Sequence, residues 1–119
     1  MTTSASRKRN ERYELHAAIC RVLTDPKRLM LLDALRATER SVGELALELG
    51  VTLPNASQHL AVLRNAGLVE ARRTGQTVHY SLAEPLIVDA CDIVSRIVSR
   101  RLAGHSQPTQ SAQTSRISR

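Results

Sequence analysis

Residues 41–82 read SVGELALELGVTLPNASQHLAVLRNAGLVEARRTGQTVHYSL, and this run decides the fold. Ser41 can cap a helix, and Glu44 three residues on completes a capping box ahead of an apolar run. In that run Val42, Leu45, Ala46 and Leu49 recur at helical spacing. Gly50 stands where a left-handed residue closes a helix, which predicts a helix of about two turns. Thr52 then caps a second helix, with Pro54 in its first turn, where a missing N–H costs nothing. Only Gly50, Val51 and Thr52 separate the two, the tight spacing of a helix-turn-helix.

On the second helix Ala56, Leu60 and Leu63 share one stripe, which must face a core. Gln58 lies opposite, with Pro54, Ala61 and Asn65 beside it and Asn55 and Ser57 on the flanks. A merely solvated face more often carries Glu and Lys. This one is polar near its start and nearly uncharged, as suits contact with base edges: Asn and Gln match adenine, Ser is permissive, and Ala can touch a thymine methyl. Past Gly67, residues 68–73 and 77–82 alternate apolar and polar around Thr74-Gly75-Gln76, the pattern of a hairpin. No acidic residue lies between Arg72 and Tyr80, so this wing is a locally positive finger suited to phosphates or a minor groove. In isolation a solvated hairpin would look the same; beside such a helix that is the weaker reading.

These features predict a helix over 52–65 that enters the major groove of duplex DNA, with Asn55, Ser57 and Gln58 reading bases and Gln58 the first candidate. Thr52, Pro54 and Ala61 belong to the same surface. Arg64, Arg72, Arg73, Gln76 and Thr77 are expected at the backbone or minor groove. His59 flanks the core stripe and reads as a packing or phosphate-contacting residue, and His79 in the wing as surface or phosphate-directed. Two such heads would address half-sites of an inverted repeat roughly 34 Å apart.

The order helix, helix-turn-helix, wing, helix resembles the ArsR/SmtB family of winged-helix repressors over residues 13–102. The pieces that carry the resemblance are DPKRLMLL, SVGELA, SQHLAVLRNAGLV and the Gly-Gln-Thr-Val-His-Tyr wing. It implies a mainly α fold with a small β-hairpin (α+β), a winged helix-turn-helix that is dimeric through its first and last helices. It also implies a cytoplasmic homodimer that represses its operator and releases it when an inducer binds.

Composition bounds the answer independently. The chain has 119 residues, 42% of them apolar, with two Tyr and neither Trp nor Phe, which is enough for one domain with a small core. The formal charge of +6 favours a polyanionic partner. No apolar run approaches a spanning helix, and the start MTTSASRKRNER lacks the hydrophobic segment of a signal peptide, so a soluble protein without a membrane partner is expected. No Gly-rich phosphate loop, carboxylate pair, nucleophile elbow or His-Glu-x-x-His run occurs, and Cys20 with His16 on adjacent turns offers no substrate cleft. An enzyme is not expected.

Around the reading head, residues 1–12 read as a flexible basic arm, 13–103 as the DNA-binding and dimerisation domain, and 104–119 as a disordered tail containing His105. An amphipathic helix is expected over 13–23. Asp25 or Thr24 then caps a buried helix over about 26–36 with Leu29, Leu32 and Leu35, and 37–40 connect it to the helix-turn-helix. Pro85 opens a last helix whose Leu86, Ile87, Ala90, Ile93, Val94, Ile97, Val98 and Leu102 make a stripe too wide for one small core.

The inducer is the open question. Arsenic sensors of the resembled family carry a Cys-x-Cys pair in the first helix of the helix-turn-helix, where this chain has SVGELALEL. Its zinc and cobalt sensors place Asp-x-His and His-x-x-His/Glu pairs on the last helix, where this chain has Glu84-Pro85-Leu86 and, three turns on, Ile97 and Arg100. Cys20 and Cys91 remain, on the two helices expected at the interface. Three readings stay open. The pair can sense an oxidant or reactive sulfur through a disulfide or polysulfide bridge. His16, Cys20 and Cys91, with Asp89 or Asp92, can hold a divalent metal ion. Each cysteine can also be simply a small apolar core residue. A winged helix used only for protein assembly, without DNA readout, is a remoter alternative; no cofactor is otherwise implied.

Overall fold

The computed structural model describes residues 3–104. Along them run α1 (Ser4–Val22), α2 (Pro26–Ala34), β1 (Arg40–Ser41), α3 (Val42–Leu49), α4 (Leu53–Asn65), β2 (Val69–Thr74), β3 (Thr77–Leu82) and α5 (Leu86–Gly104).

The helix boundaries have local causes. Asp25 caps α2 by accepting from the Lys27 N–H at 2.7 Å, with Pro26 in the first turn. Thr24, the other candidate cap, instead donates its hydroxyl to the Arg21 carbonyl at the end of α1. Both halves of the capping box of α3 are present: the Glu44 N–H reaches Ser41 Oγ at 3.1 Å and the Ser41 N–H reaches Glu44 Oε1 at 2.9 Å. Gly50 closes α3 at φ 69, a conformation that favours a residue without Cβ, and the Val51 N–H returns to the Ala46 carbonyl. Thr52 caps α4 through the Asn55 N–H. Each such cap contributes about 1 kcal/mol.

The core lies where α2 packs on α3 and α4, and the sheet packs on α3 and α4. Leu31, Leu32, Leu35, Leu45, Ala56, Leu60 and Leu63 are sealed within it, joined by Leu68, Val69 and Tyr80 from the wing side. No polar or charged residue is buried among the described residues. The core is therefore held by aliphatic burial, at about 1.5–3 kcal/mol per fully enclosed side chain.

β2 and β3 pair antiparallel from Val69 opposite Leu82 to Thr74 opposite Thr77, leaving Gly75 and Gln76 as a two-residue loop. Gly75 has φ 63 and Gln76 a negative φ, the arrangement of a type II′ turn with glycine first. Thr74 thus belongs to the strand. The expected two-stranded wing is also incomplete, because Arg40 and Ser41 pair with Tyr80 and His79, giving a three-stranded sheet in the order β1-β3-β2. The end of the presumed connector is a strand.

The amino-terminal end differs from expectation as well. α1 begins at Ser4, capped by Thr3 through the Ser6 N–H, so the segment read as a flexible arm is helical from its fourth residue. Ala5, Arg7, Lys8, Arg9, Glu11 and Arg12 are strong helix formers with no Gly or Pro among them, but they form no apolar stripe and so show no period. No residue of α1 is buried, and Tyr13 and Leu15 are 63% and 68% exposed.

α5 is a unit of its own. Ile87 and Val88 are its buried residues, whereas Ile93, Val94, Ile97 and Val98 are exposed. The rest of the tail expected to be disordered, His105 included, lies outside the described residues. No helix among the described residues is long and apolar enough to cross a membrane.

Candidate nucleic-acid interface

The orientation of α4 follows from its stripe. With Ala56, Leu60 and Leu63 wholly enclosed, Pro54, Asn55, Ser57, Gln58, Arg64 and Asn65 are left exposed and Ala61 half-buried, with no carboxylate anywhere on the helix. Thr52 is exposed at the cap, its hydroxyl oxygen occupied by the Asn55 N–H. The face opposite the core thus sets the amides of Asn55, Gln58 and Asn65 among the apolar Pro54, Ala61 and Val62, with Ser57 and Arg64 on its flank.

His59 is turned differently. It is half-buried, with Nδ1 3.4 Å from the Arg28 guanidinium, and Arg28 Nε in turn donates to the Val22 carbonyl at 2.6 Å. One guanidinium therefore joins the end of α1, the start of α2 and the middle of α4. The Lys27 backbone N–H beside Asp25 holds its carboxyl below the usual range, with help from the positive field of His59 and Arg28. Of the two roles open to His59, packing is the one this seam displays.

On the wing, Arg73, Gln76 and Thr77 are exposed, and Arg73 makes no ion pair among the described residues. Arg72 is also exposed, but its guanidinium pairs with the Glu39 carboxylate and donates to Thr74 Oγ1 at 2.6 Å. Glu39 stands 33 residues before Arg72 in sequence and comes beside it only because β1 joins the sheet, so an inspection of the wing alone misses it. The base of the wing is a polar seam against α3. Arg40 bonds Glu48 at 2.8 Å, and His79 is half-buried with Nδ1 enclosed. The Ser41 backbone N–H, then its hydroxyl, then Arg40 and His79, hold the Glu44 carboxyl below the ordinary range. His79 is thus drawn into the seam rather than displayed.

The candidate sensing residues lie on two helices. His16 and Cys20 are exposed on α1, and Cys91 is half-buried on α5; neither cysteine is in a disulfide. Among the described residues no group of three or more His, Cys, Asp and Glu side chains is placed to hold a metal ion.

The model of the bacterial regulatory proteins of the arsR family matches residues 25–71, from the cap of α2 into β2. The uncharacterized HTH-type transcriptional regulator Rv0081 of Mycobacterium tuberculosis is 39% identical over 92 residues, covering 76% of this chain and 81% of that protein. This chain belongs to the ArsR family. A biofilm growth-associated repressor of Agrobacterium fabrum is 46% identical over 68 residues, 57% of this chain and 58% of that one. Among solved structures, the crystal structure of Rv0081 matches with a TM-score of 0.71 at 38% identity, over 80% of this chain and 96% of that one. The solution structure of the homodimeric winged helix-turn-helix DNA-binding domain Mb0332 from Mycobacterium bovis matches with a TM-score of 0.75 at 31% identity, over 90% and 98%. The fold of this ArsR-family chain is therefore the winged helix-turn-helix, and its class is that of the transcriptional regulators.

Proposed function

We propose that the protein is a sequence-specific repressor that binds an inverted-repeat operator as a homodimer in the cytoplasm and leaves it when an inducer acts on the dimer interface. The observation that carries this reading is the carboxylate-free face of α4, with Asn55, Ser57 and Gln58 exposed because Ala56, Leu60 and Leu63 hold the opposite side in the core. Arg64 on the same helix and Arg73, Gln76 and Thr77 on the wing supply the backbone contacts. Support for pairing comes from the exposed Ile93, Val94, Ile97 and Val98 on α5, and from the homodimeric state of the related Mb0332 domain.

Binding of the purified protein to duplexes selected from a random pool, measured against competitor DNA at moderate ionic strength, tests the reading. Gln58→Ala is expected to cost on the order of 1–3 kcal/mol on the selected site and little on random DNA. Equal losses on both would refute the assignment of base readout.

For the inducer, the exposed Cys20 thiol is open to oxidants and reactive sulfur, and Cys91 is its candidate partner. Mass spectrometry of protein treated with peroxide, polysulfide or a divalent metal, beside operator release by Cys20→Ser and Cys91→Ser, separates thiol chemistry from a metal held with His16. Variants that release DNA like the parent leave both cysteines without a sensing role.

A further inference from the structure

Leu53 opens α4 and is 53% exposed, although it stands just ahead of a stripe whose three members are wholly enclosed. The core ends at Ala56, one turn too late to cover it. Its placement is nonetheless well determined: Gly50 and the Val51 bond to the Ala46 carbonyl set the approach, Thr52 caps the turn, and Pro54 fixes the next residue. At about 100° per residue Leu53 falls between Leu60 on one side and Arg64 and Ser57 on the other, where the core stripe meets the exposed flank of the helix. It thus sits at the amino-terminal end of the helix, the end that reaches base edges when such a helix lies in a major groove. The neighbouring Asn55, Ser57 and Gln58 can hydrogen-bond to bases; of the apolar residues on this surface, Pro54 and Ala61 are short, and Leu53 is the one whose exposed side chain has the longest reach at this end of the helix. The major groove offers one apolar group, the 5-methyl of thymine.

We propose that Leu53 is a specificity-determining residue that packs on a thymine 5-methyl in each half-site, which rests on the reading of α4 as the base-reading helix. Polar neighbours then report donors and acceptors while Leu53 reports the methyl, so the half-site carries a thymine that no hydrogen bond specifies.

Replacing thymine by uracil tests this, because it preserves pairing and removes only the methyl. In duplexes selected by the parent protein, each thymine of one half-site is replaced in turn and binding is measured at fixed salt. One position is expected where uracil weakens the parent about fourfold, the worth of one buried carbon, and where it leaves Leu53→Ala unaffected. Leu53→Gln, of similar length and helix propensity, is expected to move the preference at that position from thymine to adenine and leave the others unchanged. Uracil that is harmless to the parent at every position, or as costly to Leu53→Ala as to the parent, would overturn the proposal. A pool yielding no preferred site at all would instead overturn the base-reading role of α4, a separate and recognisable failure.

Discussion

The helices at the ends of this chain and those in its middle use the same aliphatic residues but leave them in opposite conditions. In α3 and α4, Leu45, Leu49, Leu60 and Leu63 are buried; α1 has no buried residue and α5 only Ile87 and Val88, although each runs for 19 residues. The middle encloses its apolar stripes within one chain, with Leu47, Leu53 and Val62 left exposed outside them. The ends carry Tyr13, Leu15, Ile93, Val94, Ile97 and Val98 uncovered, which is surface of the kind a small domain buries by pairing. The enclosed and the uncovered apolar surfaces thus belong largely to separate stretches of sequence.

Truncation in the middle should have the largest effect. Leu60→Ala is expected to cost about 2–5 kcal/mol in denaturant unfolding, because it opens a cavity in a fully enclosed site, and the loss should not depend on protein concentration. Val94→Lys should leave the unfolding of dilute protein unchanged yet weaken self-association more than about tenfold in sedimentation, worth about 1.4 kcal/mol. If it destabilises dilute protein as Leu60→Ala does, the contrast between ends and middle is broken. A finer contrast lies within the wing. Arg73→Ala should weaken selected and random DNA alike and lower the salt dependence by about one charge. Arg72→Ala should lower it less, since Glu39 already opposes that guanidinium. Equal salt slopes for the two variants would show that the ion pair opens on DNA.

The smallest effect concerns pH. The Glu44 carboxyl is held low by the Ser41 N–H, so its contribution is complete above the ordinary carboxyl range and is lost as pH falls through the lowered value. Melts recorded downward from about pH 6 should show a decline below about pH 4, shallower in Glu44→Gln. A parent and variant with identical profiles would remove the capping box from the list of acid-sensitive contacts.

Most of the reading head could be read from the chain because its determinants are close in sequence. Ser41 with Glu44, Gly50, Thr52 and Asp25 each act within a few residues, and the stripe of Ala56, Leu60 and Leu63 points Gln58 outward by periodicity alone. What escaped depends on distant partners. Two residues are too few to show alternation, so β1 exists only through its pairing with His79 and Tyr80. The same distance hid the Glu39 partner of Arg72. The early start of α1 escaped for another reason, since a helix that buries nothing leaves no apolar period to find. Leu53 was visible as an apolar residue, but its exposure was not, because periodicity gives direction around a helix and not how far the core extends along it.

The position of β3 between its neighbours has a consequence for how copies of the molecule meet. With β1 limited to two residues, the long edge of the sheet among the described residues is the outer side of β2, where Glu70, Arg72, Arg73 and Thr74 succeed one another around a single alanine. Charges spaced in this way discourage another polypeptide from docking lengthwise by main-chain hydrogen bonds. Strand-by-strand polymerisation is thereby disfavoured.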